Sequence, residues 1–223
     1  MKKIIIAALV MMLVCSASVF AVYNNSNIKD YAGLNVSFSY VYDTYKVGES
    51  SEIVDKAGQL GIGFSDFTFF GDVSLGLYAD GNAIFTIKDN DDNNDDSKSP
   101  LYLNFAVGLG FKRDLNSKMM LLGAAGLDFI FFTRQSTYYV VFDHYTVDRT
   151  YVTMGVFADV EVAYKLARDV YFTLGAKGNL NFLKWVTIDS TNYSGSHTST
   201  TTKDTEGYFG YRITPKVGVY IVF

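Results

Sequence analysis

The segment Phe209-Gly210-Tyr211-Arg212-Ile213-Thr214-Pro215-Lys216-Val217-Gly218-Val219-Tyr220-Ile221-Val222-Phe223 ends the chain. Its odd positions are almost all apolar, and its even positions are mostly glycine, hydroxyl or cationic residues. Side chains of a strand point alternately to two faces, so this stretch has one greasy face and one small, polar face. No 3.6-residue periodicity competes with it. The same alternation recurs upstream. Leu101, Leu103, Phe105, Val107, Leu109 and Phe111 oppose Asn104, Ala106, Gly108, Gly110 and Lys112. Val156, Ala158, Val160 and Val162 oppose Phe157, Asp159, Glu161 and Ala163.

Carried along the chain, this reading predicts eight strands, near 31–43, 57–68, 72–87, 100–113, 118–133, 149–166, 170–186 and 207–223. Phe67, Phe69 and Phe70 blur the phase of the second. The connections alternate in length. Residues 112–118 and 166–170 read as tight turns, built on Asp-Leu-Asn-Ser and Ala-Arg-Asp. Segments 44–56, 88–99, 134–148 and 187–206 read as long polar loops. Short turns at one end and long loops at the other mark a transmembrane barrel. The expected fold is an all-β, eight-stranded antiparallel up-and-down transmembrane β-barrel.

Composition agrees. The 223 residues are 49% hydrophobic, 16% aromatic and 19% charged, which excludes a disordered chain. A formal charge of −4 argues against a general nucleic-acid binder. Lys2 and Lys3 precede an apolar run from Ile4 to Val14, and Val19-Phe20-Ala21 suits a cleavage site. Residues 1–21 are therefore expected to be a secretory signal peptide, and 22–223 the barrel domain. Cys15, the single cysteine, falls inside that signal.

A soluble eight-stranded barrel of lipocalin type would use the same strands with the apolar face inward. Three features favour the opposite orientation. Glycines crowd the polar face, as the narrow bore of eight strands requires. Aromatics gather near strand ends, where interfacial girdles form. Charges of both signs share a level on the polar face. Asp80, Asp128 and Asp159 lie at the height of Lys177 and Lys216, with Glu161, Lys165 and Arg212 above or below. An internal ion-pair belt is expected there, because buried charge must be paired.

The ending Tyr220-Ile221-Val222-Phe223 resembles the C-terminal signature of bacterial outer-membrane barrels. From residue 22 onward the chain is similar in architecture to small eight-stranded proteins of the OmpX, OmpA-barrel and OmpW type. That resemblance implies a place in the bacterial outer membrane, with membrane lipid as a partner. It also implies that the assembly machinery reads Val219, Ile221 and Phe223 in the final strand. Pro215 departs from the pattern and suggests a local bulge.

A filled bore argues against a general porin. The leading functional expectation is a monomeric, non-enzymatic barrel acting structurally or in surface contact through its loops, without a cofactor. A narrow channel for small or hydrophobic solutes, as in the OmpW type, is the alternative. Within the loops, Asp89, Asp91, Asn93 and Asp95 are weak metal-ligand candidates in an Asp/Asn run. That run lacks the glycine and the terminal glutamate of an EF-hand. Residues 190–202 are rich in Ser and Thr and read as mobile. Apolar residues across 138–147 read as a strand extension. His144 and His197, with Asp143 and Ser136, supply the residue types of a lipid-modifying triad but not its spacing.

Overall fold

The computed structural model describes residues 28–46, 53–70, 73–89, 101–140, 143–192, 197–204 and 206–223. The residues of the expected signal peptide lie outside that set. Nine strands run β1 (Ile28–Lys46), β2 (Ile53–Phe70), β3 (Leu75–Asp89), β4 (Leu101–Asp114), β5 (Met119–Val140), β6 (Asp143–Lys165), β7 (Val170–Asn192), β8 (His197–Asp204) and β9 (Glu206–Val222). Each pairs antiparallel with its neighbours, and the β6–β7 pairing closes the sheet on itself. The barrel wall has eight staves, because β8 pairs with the upper part of β7 and continues the stave begun by β9.

Both chain ends of the barrel meet at one rim. Asp30 N–H donates to Phe223 O, and Phe223 N–H donates to Asp30 O at 3.0 Å. The tight turns lie at this rim too. Leu115 N–H donates to Met119 O at 2.9 Å, and Leu166 N–H donates to Val170 O at 2.9 Å. In the first turn the Asn116 side-chain oxygen accepts from the amides of Lys118 and Met119, each at 2.9 Å. An asparagine here caps backbone donors that the ladder leaves over.

Burial decides the orientation. Val217, Val219 and Ile221 are 40%, 44% and 46% exposed, whereas Lys177 and Lys216 are 3% and 5% exposed. The greasy face lies outside and the cationic face inside, which excludes the lipocalin-like arrangement. An exterior carpeted by Leu34, Ile62, Leu109, Leu174 and Ile213 is stable only against hydrocarbon. Glycine makes the bore possible where strands crowd. Gly108 and Gly126 face each other across β4 and β5, and a Cβ on either would run into the carbonyl oxygen of Ala125 or Val107.

Several expectations are corrected. The described residues of segments 44–56, 134–148 and 187–206 are strand, not loop, while the loop expected at 88–99 lies almost wholly outside the described residues. β5 and β6 stay in register to the end of their hairpin, where Val140 lies opposite Asp143. The Ser/Thr-rich segment, expected to be mobile, pairs as β8 with β7 from Trp185–Asp204 to Thr191–His197. Threonine is as much at home in a strand as in a loop, so composition alone misread it. The 138–147 extension is as expected. Pro215 makes no bulge. Its ladder to β7 is continuous through Ala176, while the β1 ladder skips from Ser37–Lys216 to Tyr40–Ile213. Proline lacks the N–H that would face β1. Register shifts occur instead near Thr44, Gly58, Met154 and Ser190.

Among the described residues the staves differ in height. β5, β6 and β7 have 22, 23 and 23 residues, against 15 and 14 for β3 and β4. About 9–11 residues cross a bilayer. The β5–β8 side therefore stands above the rim opposite the tight turns as a four-stranded wall.

Candidate functional site

The belt is built by cations that reach across the bore. Lys177 on β7 lies 3.2 Å from Asp80 on β3 and 3.3 Å from Asp128 on β5. It also donates to Asn104 Oδ1 on β4 at 3.2 Å. Lys216 on β9 lies 2.5 Å from Asp159 and 2.7 Å from Glu161, both on β6. Glu161 thus stands inside the ion-pair set rather than beside it. Both lysines and all four carboxylates are buried. Charges in a low-dielectric interior are tolerated when each has partners of this kind.

Neutral donors complete the belt. Asn35 Nδ2 donates to Ser65 Oγ at 2.9 Å, and Ser65 Oγ donates to Asp80 Oδ2 at 3.2 Å. Asn82 Nδ2 donates to Asp80 Oδ1. Asn104 Nδ2 donates to Asp128 Oδ1 at 2.7 Å, and Tyr220 OH to Glu161 Oε1 at 2.9 Å. Tyr78 OH touches both lysine clusters, lying 3.0 Å from Asp80 Oδ2 and 2.8 Å from Asp159 Oδ2. Charge level alone suggested pairing of Lys177 and Lys216 with these acids, but Arg212, expected with them, forms no salt bridge among the described residues. The amide and hydroxyl partners were not legible, because inward Asn and Ser are common in any narrow bore.

Beneath the belt, toward the tight-turn rim, rings and aliphatic groups fill the bore. Tyr31, Phe67, Phe69, Tyr78, Met120, Leu122, Phe157 and Tyr220 form one buried cluster, with Tyr171 packed on it. Phe67 and Phe69, whose phase the sequence left blurred, both face inward, and Phe70 faces out. Lys112 sits 5.0 Å from the Phe69 ring centroid, a cation over an aromatic face.

Above the belt the bore is polar. Gln59, Thr153, Asn179, Asn181 and Arg212 are buried there. Arg212 forms no salt bridge among the described residues, and its Nε and Nη1 have no hydrogen-bond partner. It stands above the belt, next to Asn179 in the β7–β9 register. Lys184 lies higher, 5.1 Å from the Tyr151 ring and 5.2 Å from the Tyr208 ring.

The remaining candidates scatter. Asp89 is the last residue of β3, and Asp91, Asn93 and Asp95 lie outside the described residues. No group of three metal-binding side chains occurs among the described residues. His144 pairs with Tyr139 near the tip of the β5–β6 hairpin, and His197 with Thr191 near that of β7–β8. The two histidines lie on strands separated by β7. Val219 and Ile221 point outward on β9, and Phe223, just past its end, is also exposed.

No family model matches the sequence, and no curated protein sequence matches it. Solved structures do match in shape. A major outer membrane protein from Thermus thermophilus superposes with a TM-score of 0.54 at 12% identity, covering 86% of this chain and 99% of that one. The outer membrane protein OprG from Pseudomonas aeruginosa gives 0.50 at 10% identity, covering 88% and 95%. This chain has the fold of an outer-membrane β-barrel. At such identities the likeness speaks for architecture alone. What distinguishes this outer-membrane-type barrel is its own geometry: a bore filled from rim to belt, and a wall raised on one side.

Among the described residues that wall has two open vertical edges. The described pairing of β4 with β5 ends at Tyr102–Phe132, so among the described residues β5 from Thr133 to Val140 has a partner only in β6. Among the described residues β8 pairs with β7 alone and terminates the sheet. Each edge offers backbone N–H and C=O groups in strand spacing.

Proposed function

We propose that this protein is a monomeric barrel of the bacterial outer membrane that acts in surface contact, through the wall of β5–β8. The carrying observation is the pair of unpaired edges, upper β5 and β8, standing beyond the membrane-spanning height. Unpaired strand edges bind extended polypeptide by adding a strand. The partner class is therefore an extended segment of another protein at the cell surface. The edge of β8, His-Thr-Ser-Thr-Thr-Thr-Lys-Asp, has no proline to block such pairing and is rich in β-branched threonine. Membrane lipid covers the apolar exterior. The outward row Val219, Ile221 and Phe223, at and just past the end of β9, is the part offered to the assembly machinery.

Adherence of whole cells to immobilised, reduced and alkylated polypeptide tests this reading. Thr201→Pro in β8 and Thr137→Pro in β5 each remove an edge and are expected to reduce adherence when combined, at equal surface expression. Undiminished adherence of the double variant would refute it. The channel alternative has less support. The ring cluster and the belt occupy the axis, and open aqueous passages belong to wider barrels.

A further inference from the structure

One buried charge in the bore is left without a counter-charge. Arg212 on β9 is 3% exposed, its Nε and Nη1 have no hydrogen-bond partner, and it forms no salt bridge among the described residues. The other buried charged side chains described all have contacts. Asp30 accepts from Thr68 Oγ1 at 2.8 Å, and the acids and lysines of the belt pair with one another. Lys184 lies over the Tyr151 ring, and Asp66 is partnered as well. A buried lysine or acid can shed its charge by changing its protonation, whereas a guanidinium cannot. Arg212 must therefore be neutralised by something other than itself.

The residues around Arg212 supply hydrogen-bonding groups but no counter-ion. In the ladders it lies opposite Asn179 on β7 and Val41 on β1. Directly opposite residues hold their Cβ atoms about 4.5–5.5 Å apart. Asn179 is buried, and both ends of its amide are without partners. Two residues along β9, on the same inner face, Thr214 Oγ1 shares a 2.9 Å hydrogen bond with Ser39 Oγ on β1. Ser39 in turn lies opposite Gln59 on β2. Gln59 is buried, again with both amide ends unpartnered. Four adjacent staves, β2, β1, β9 and β7, thus line one polar arc of the bore. Its two hydroxyls satisfy each other, while its guanidinium and its two amides are left over. The charged groups beside the arc are engaged elsewhere. Lys177, two residues before Asn179, is held by Asp80 and Asp128. Asp43, two residues beyond Val41, accepts from Tyr208 OH at 3.2 Å. The belt has more acids than lysines, yet each of its acids contacts a lysine and none contacts Arg212.

We propose that the upper bore is a binding site for one small monovalent oxyanion of the carboxylate class, held by Arg212 with the side-chain amides of Asn179 and Gln59. Water would supply acceptors without the missing charge, and an anion supplies both. An oxyanion suits the arc better than a halide, because its two oxygens accept together from donors that arrive on three strands. The narrow bore of eight staves sets the size. The ion enters from the wall side, past Lys184, and the carboxylates of the belt stop it from going further. The site is a dead end that binds without conducting.

Sodium formate is the probe. The full barrel in lipid bilayers is unfolded in urea while formate replaces chloride at constant ionic strength. A ligand bound only by the folded state multiplies the folding constant by one plus its concentration over its dissociation constant. Once formate exceeds that constant, each tenfold rise should raise the wild-type folding constant about tenfold. Arg212→Met, which keeps the stem and removes the charge, should give a flat titration. Asn179→Leu, which leaves the guanidinium in place, should need several-fold more formate for the same gain. Nuclear magnetic resonance of the folded barrel labelled with ¹⁵N-arginine reads the same event without unfolding. One Nε–H resonance should move with formate, and it should be the one missing from Arg212→Met. A wild-type folding constant indifferent to formate would overturn the proposal whether or not the variants fold. It would mean that water and the distant belt suffice for Arg212. A formate response that persists in Arg212→Met would overturn it too.

Discussion

Removing the Lys177 ammonium should be among the most damaging single changes this barrel can suffer. In Lys177→Met the side chain keeps its length and much of its volume, so the bore stays filled. The charge disappears. Asp80 and Asp128 then lose the cation that lay 3.2 and 3.3 Å away, and Asn104 loses a donor at 3.2 Å. Both acids are almost wholly buried, so water cannot substitute. Breaking a buried pair by deleting one partner costs about 3–5 kcal/mol, because it strands an uncompensated charge. At about 1.4 kcal/mol per factor of ten, the folding constant should fall by roughly two to three and a half powers of ten. Urea titration in bilayers, followed by the fluorescence of the single tryptophan, Trp185, reads this directly. The triple variant Lys177→Met, Asp80→Asn, Asp128→Asn removes the stranded charges as well and should recover most of the loss. A cost of less than about 1 kcal/mol for Lys177→Met, the range of solvent-exposed pairs, would refute the account of a dry, cross-bore belt.

Charge on the outer face should be costly in a different way: Leu174→Arg, at a site 62% exposed, should lose about 2–4 kcal/mol in bilayers if the residue sits near the midplane. Free tolerance of this arginine in bilayer unfolding would mean that the apolar face does not meet hydrocarbon. Glycines should divide by environment. Gly126→Val drives a Cβ into the Val107 carbonyl and should leave the protein unfolded on cold semi-native electrophoresis, whereas Gly178→Ala meets no atom within 4 Å and should fold normally. Cysteine labelling of intact cells, in a Cys15→Ser background, checks topology. A maleimide too large to enter the periplasm should modify Thr200→Cys on β8, and should modify Asn116→Cys in the turn only after permeabilisation.

Orientation was readable because alternation and residue size point the same way. In 209–223 every second residue is greasy, and the residues between them include Gly210, Gly218, Arg212 and Lys216, which only a narrow interior accommodates together. Charge level placed Asp80, Asp128 and Asp159 with Lys177 and Lys216. Strand ends were less readable. Within the bilayer one face must be apolar, so period two is enforced. Beyond it that constraint lifts, and Ser/Thr-rich stretches such as 190–202 read as strand or loop alike. There the pattern fades while pairing continues. Phe67 and Phe69 misled for the opposite reason: near the tight-turn rim the bore itself is apolar, so both faces of β2 carry rings. Tyr78 could be placed inside by phase, but its position between two carboxylates depends on β3 and β6 meeting across the bore, which no local pattern encodes.

The order of charges along the axis bears on what the bore can do. An ion entering from the wall side first reaches the level of Lys184 and Arg212, both cations, and then the belt, where four acids outnumber two lysines. A cation is repelled at the first level and an anion at the second, and in a low-dielectric bore each repulsion is far stronger than in water. Beyond the belt the rings of Phe67, Phe69 and Tyr220 leave apolar contacts in place of hydration. A sideways exit fares little better. The β1–β9 ladder thins beside Pro215, yet Ser39 Oγ and Thr214 Oγ1 share a 2.9 Å hydrogen bond behind that gap. Filling, charge order and the stitched seam each oppose passage independently, so no single substitution is expected to turn this barrel into a pore.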